Sequence, residues 1–210
     1  MNLYGQSQFY VFANPVVSSD NTSVIYDGYS RITDGAGEFT YTLANGIAYV
    51  VTSSMGSTSD SIADCLDSTL LPPFNDIISA LNNATAVSNG IVGNDTITCA
   101  SGIKFQVTLS DATFVICSSG SNDFTAYESD MDITVDYLNS PVTITPPSLN
   151  SDVALSCETV IKPISVSETA LVILTGQVIL PQKKKRENSE LLRFIARNGM
   201  SSVIVFEPTF

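Results

Sequence analysis

The chain has 210 residues, 44% of them hydrophobic, and carries 21 acidic against 9 basic side chains with no histidine or tryptophan. That is enough apolar material for one β-rich domain with a real core. The net charge of −12 excludes nucleic acid and anionic membrane as partners of the main body, since both demand basic patches, and the missing histidine excludes Ser-His-Asp and Cys-His nucleophilic catalysis.

Ser (28), Thr (20) and Asn (14) supply 62 residues. A surface built from hydroxyls and amides rather than ion pairs fits an extracellular, cell-surface or capsid protein, so a secreted or surface-exposed location is expected. Residues 1–15 carry neither a basic n-region nor a long apolar h-region, so no signal peptide is visible.

In chain order, residues 7–12, 22–26 and 29–33 read as strands, the last two separated by Asp27-Gly28, and residues 34–37 as a turn. Residues 40–51, TYTLANGIAYVV, form a hairpin about Asn45-Gly46. A two-residue type I′ turn pairs Ala44 with Ile47 and leaves both faces half apolar. A three-residue loop with a bulge at Gly46 pairs Leu43 with Ile47 and gathers Phe39, Tyr41, Leu43, Ile47, Tyr49 and Val51 on one face. We expect the second register, because it alone segregates apolar from polar positions.

A Ser/Thr/Asp/Gly loop over 53–64 leads to a helix over 72–87, with Pro72 and Pro73 in its first turn and Phe74, Ile77, Ile78 and Leu81 along one stripe. Short strands follow at 96–99, 104–109, 113–118, 123–128, 131–137 and 142–145, spaced as an antiparallel sheet and not as βαβ repeats. Residues 170–180, ALVILTGQVIL, are too short for a membrane span and read as a buried strand. Residues 189–197 suggest a short helix and 203–206 a terminal strand. Charge divides the chain at Pro181: residues 1–180 carry a net −15 and 181–210 a net +3. The expected organisation is an α+β protein. An antiparallel β domain over 1–147, with a large curved meander and one main covering helix, is followed by a β extension over 148–180. A basic linker with a helix-strand appendage occupies 181–210.

Cys65, Cys99, Cys117 and Cys157 are even in number and widely spaced. Without histidine or a close cysteine pair, structural zinc is not expected, and no motif calls for a metal or cofactor. Disulfides are the better reading for a secreted chain, with free thiols in a reducing compartment as the alternative. Sequence alone does not choose among three connectivities; our expectation is Cys99 with Cys117 and Cys65 with Cys157. Sequons at Asn21, Asn83 and Asn94 are candidate glycosylation sites, although this composition yields roughly three by chance.

Asp130, Asp132 and Asp136 share one side of a strand and are the only acid row that suggests hydrolase or calcium chemistry. A solvated face that discourages edge pairing explains them more simply. Phosphate-cradling glycine motifs are missing. The basic run Lys183, Lys184, Lys185 and Arg186 reads as an exposed linker or as a processing site that releases 187–210. We therefore do not expect an enzyme.

The order of elements over about 22–145, with the meander DGYSRITDGAGEFTYTLANGIAYVV, resembles the LolA-like lipoprotein carriers. That resemblance implies a curved antiparallel sheet partly covered by helices around a lipid cavity, and carries over no contact residue. The leading expectation is a non-enzymatic module binding an apolar small molecule or lipid between Phe39, Tyr41, Leu43, Ile47, Tyr49 and Val51 on the sheet and Phe74, Ile78 and Leu81 on the helix. The alternative is a ligand-free structural or interaction protein of a coat, adhesin or capsid.

Overall fold

The computed structural model describes residues 9–35, 37–54, 61–71, 74–100, 103–118, 123–140, 142–176, 179–181, 192–194 and 202–208. Five strands open the fold: β1 (Phe9–Val17), β2 (Ser23–Asp34), β3 (Gly37–Ala44), β4 (Ile47–Ser54) and β5 (Ile62–Cys65). Asp27-Gly28 does not break β2. Gly28 sits mid-strand between Ala13 on β1 and Leu43 on β3, so one long strand replaces the two expected. Part of the loop expected over 53–64 is likewise strand: β5 pairs with β4 as the sheet's edge, a four-residue segment whose Ile62 and Asp64 are exposed.

The hairpin adopts the register we did not favour. Ala44 pairs with Ile47, Leu43 with Ala48 and Tyr41 with Val50. Asn45 (φ 54°) and Gly46 (φ 80°) are both left-handed, the backbone that a two-residue type I′ turn requires. Gly46 is also locked in place: a Cβ there would lie 2.5 Å from the Ile161 carbonyl oxygen, and that same turn accepts backbone bonds from Val160 and Ile161 at 2.8 and 3.1 Å. Tertiary contact to the turn therefore overrides the segregation of side chains.

Helix α1 (Phe74–Asn82) is shorter than expected. It stops before β6 (Thr85–Ala86), which pairs with β9 (Lys104–Leu109), and Pro72 and Pro73 lie outside the described residues. Between them in sequence, β7 (Gly90–Val92) and β8 (Asp95–Ile97) form a separate hairpin. Its Gly90 lies so close to the fully buried Val115 that a Cβ would come within 2.5 Å of Val115 Cγ1. The sheet resumes with β10 (Ala112–Ser118), β11 (Asp123–Tyr127) and β12 (Met131–Tyr137). Residues 142–145 form no strand.

Helix α2 (Ser151–Ser156), capped by the Asn150 side chain on Val153 N, precedes a two-residue strand β13 (Ile164–Ser165) beside β2. The apolar run after it is not a buried strand but helix α3 (Glu168–Thr175). Ser167 Oγ accepts from Ala170 N at 3.1 Å, and Gly176 closes the other end at φ 65° with its N–H on Val172 O. These caps at both ends select helix for a run whose hydropathy alone is ambiguous. Residues β14 (Ile179–Pro181) and β15 (Leu192–Phe194) pair with each other in a ribbon apart from the large sheet. The described part of the helix expected over 189–197 is thus strand.

The last strand, β16 (Ser202–Pro208), is no appendage. It lies inside the main sheet, between β1 and β12 and antiparallel to both, in the order β5-β4-β3-β2-β1-β16-β12-β11-β10-β9-β6. Far ends of the chain thus join the two halves of one antiparallel sheet. Helices α1 and α3 cover one face: Ala80 and Leu81 of α1 and Ala170 and Ile173 of α3 pack on Val107, Ile116 and Ala126.

Candidate functional site

The expected apolar wall does not assemble as one surface. Cross-strand partners share a face, so Phe39, Tyr41 and Leu43 lie with Thr52, Val50 and Ala48, whereas Ile47, Tyr49 and Val51 lie on the opposite face with Ala44, Thr42 and Thr40. Of the expected set, the structure brings Leu43 and Phe74 together, in a cluster with Ala48 and Ile161. Leu81 belongs to the other half of the core, and Ile78 is buried at 4% exposure. Helix α1 thus reaches from one cluster to the other: its Phe74 end serves the meander and its Leu81 end serves β9 to β11. Among the described residues, α1, α3 and Ile161 pack their own side chains on this face of the sheet.

Where α1 crosses β9, the outer side forms an open groove of about 540 Å³, lined by Asp76, Ser79, Asn83, Thr85, Gln106 and Thr108 among others. The lining is mostly amides and hydroxyls with a single carboxylate, so it suits neither a lipid nor paired acid-base chemistry. Asn83 is also anchored here, its Nδ2 donating to Ser79 O at 2.9 Å.

Of the acid row, Asp132 and Asp136 share one face of β12 while Asp130 precedes the strand. Asp130 and Asp136 are exposed, Asp132 is half-buried, and Asp136 faces Asp123 across the ladder. Strand β12 is internal, between β11 and β16, so edge protection is not what these carboxylates do. Among the described residues no group of three or more His, Cys, Asp or Glu is placed to hold a metal ion.

Two half-buried phenols mark the seam between sheet and helices. Burial pushes the Tyr26 hydroxyl well above its ordinary range. Burial, then the nearby Tyr26, does the same for Tyr137, whose hydroxyl donates to Ile173 O at the end of α3. Gly176 lies against the Tyr137 ring, where a Cβ would come within 2.5 Å. Both phenols are neutral, structural groups at physiological pH.

The cysteines pair as expected, Cys65 with Cys157 and Cys99 with Cys117, at Cα separations of 5.5 and 5.3 Å. Disulfides persist in oxidising compartments. Asn21, Asn83 and Asn94 are all exposed, while Lys183 to Arg186 lie outside the described residues. Among the described residues no helix is long and apolar enough to cross a membrane.

Sequence reasoning missed the seam made by β16. Ile204 stands opposite Val11 on β1 and Val135 on β12, and Phe206 opposite Phe9 and Ile133. The continuous apolar run Val203 to Phe206 was the available signal, and it gave the strand but not its neighbours.

Fold and site together define a disulfide-bonded α+β protein, mainly antiparallel sheet, with its covered face packed by its own helices. The chain matches no family model, no curated protein and no solved structure.

Proposed function

We propose that the protein is a non-enzymatic structural or interaction component of an extracellular or cell-surface assembly. The observation that carries this reading is the packed covered face: α1, α3 and Ile161 occupy the side of the sheet on which a ligand cavity would open. Two disulfides and the Ser/Thr/Asn-rich composition agree with an oxidising, extracellular setting, in which the exposed Asn21, Asn83 and Asn94 would carry glycans. The acidic charge keeps such a module soluble and away from anionic surfaces.

Native mass spectrometry of protein from a secretory eukaryotic host, beside a denatured, non-reduced control, tests the reading. The expected masses correspond to the polypeptide with two disulfides and its covalent glycans, identical in both conditions. A mass excess that vanishes on denaturation overturns it in favour of a bound apolar ligand, a lipid being the first to look for given the LolA-like order of elements.

A further inference from the structure

We propose that β16 is an exchangeable strand: the slot between β1 and β12 accepts residues 202–208 of a second copy, linking copies of the chain. This rests on the structural reading above and names its partner.

The slot is a pair of inward-facing edges. With β16 withdrawn, β1 and β12 would face each other across about 10 Å, twice the spacing of neighbouring strands, with unpaired backbone and apolar flanks at Val11, Ile133 and Val135. Open edges of this kind recruit any compatible strand. The compatible strand is specified on both sides at once. Five residues of β16 pair with β1 and seven with β12, in a register that sets Ile204 and Phe206 between apolar partners.

Nothing in that register requires the donor to be the same molecule. A strand from another copy makes identical contacts, so only the tether separates the two arrangements. That tether is residues 177–201, whose described parts, β14 and β15, pair only with each other and not with the large sheet. Extended at roughly 3.3 Å per residue, it reaches on the order of 80 Å, enough for a neighbouring copy. A tethered strand has an effective concentration near the millimolar range. At micromolar protein the chain's own strand therefore fills the slot, and exchange grows where copies are crowded or fold side by side. Each copy both gives and receives a strand, so the linkage closes into a small ring or continues as a chain.

The test uses Tyr10 and Val205, paired across β1 and β16, Tyr10 being 52% exposed. Full-length Tyr10→Cys and Val205→Cys chains are mixed, unfolded without reducing the native disulfides, refolded at total concentrations from about 10 μM to 1 mM and oxidised. Peptide mapping identifies any link between residues 10 and 205. A Tyr10→Cys chain mixed with Thr145→Cys is the control, and a single chain carrying both Tyr10→Cys and Val205→Cys reports the strand's placement.

The expected result is a crosslinked dimer that rises with concentration and exceeds the control at least tenfold at the top of the range. If the double variant closes within one chain while the mixture stays at control level, exchange is refuted and the structural reading stands. If the double variant fails to close, β16 does not lie beside β1 and the inference falls for that reason. Unsubstituted chain provides a second readout. After refolding near 1 mM, size exclusion should show dimers and larger species that persist on dilution, and their absence also overturns the proposal.

Discussion

Replacing both Cys65 and Cys157 by alanine removes the longer of the two covalent closures. The pair is separated by 92 residues and ties the edge strand β5 to the end of α2. Cross-linking a loop of that length lowers the entropy of the unfolded chain by an amount worth about 4.6 kcal/mol at 25 °C, against about 3.2 kcal/mol for the 18-residue separation of Cys99 and Cys117. Both residues of the long pair are only half-buried, so lost packing adds little, and the cost should sit mainly in the unfolded state. In a chain of this size each kcal/mol moves the melting temperature by roughly 2–4 °C, so the variant should melt about 9–18 °C lower. Differential scanning calorimetry of the two proteins, with free thiols counted first, gives the comparison. Hydrogen exchange supplies a local check, because among the described residues β5 is an edge strand paired with β4 alone and should lose protection before the rest of the sheet. A drop below about 3 °C with the native bridge confirmed would refute the chain-entropy argument and mean that the unfolded chain already holds the two segments together.

Three further outcomes follow from particular contacts. Gly90→Ala should cost about 1–3 kcal/mol, because its Cβ would meet Val115 in a fully buried site; the same change in a Val115→Ala background should cost less, and denaturant midpoints for the four proteins of that cycle decide it. Asn82 joins α1 to the start of α3, its Nδ2 donating to Ser165 O at 2.8 Å and its Oδ1 accepting from Ser167 N at 2.7 Å, so Asn82→Ala should destabilise by about 1–3 kcal/mol through the backbone groups left unpaired, as read by urea unfolding. Tyr26 and Tyr137 have hydroxyls raised by burial, so their contribution is complete below the ordinary tyrosine value and is lost as pH rises beyond it. Ultraviolet titration above pH ~10 should therefore find at least two of the eight tyrosines protonated until the protein unfolds, and smooth ionisation of all eight in the folded state would contradict the burial.

The sequence by itself determined the local pieces. Alternating apolar residues and the turn at Ser110 gave the β9–β10 hairpin, Asn45-Gly46 gave the site of the β3–β4 turn, and the spacing of Phe74, Ile77, Ile78 and Leu81 gave α1. Those signals are short-range, arising from backbone preferences and from which side chains recur on one side of an element. It also favoured the correct cysteine pairs, although nothing in their spacing compelled them.

The tertiary structure decided what lay between equally good local options. The hairpin's register depends on a turn packed against Ile161, more than a hundred residues away in sequence. Residues 168–175 are a helix because Ser167 and Gly176 cap them and because the sheet offers that face an apolar bed, whereas their hydropathy fits a strand equally well. The place of β16 was the least legible feature. A strand's alternation specifies that it has two faces but says nothing about which edges it joins, and here those edges are β1 and β12, brought to either side of it by the fold as a whole.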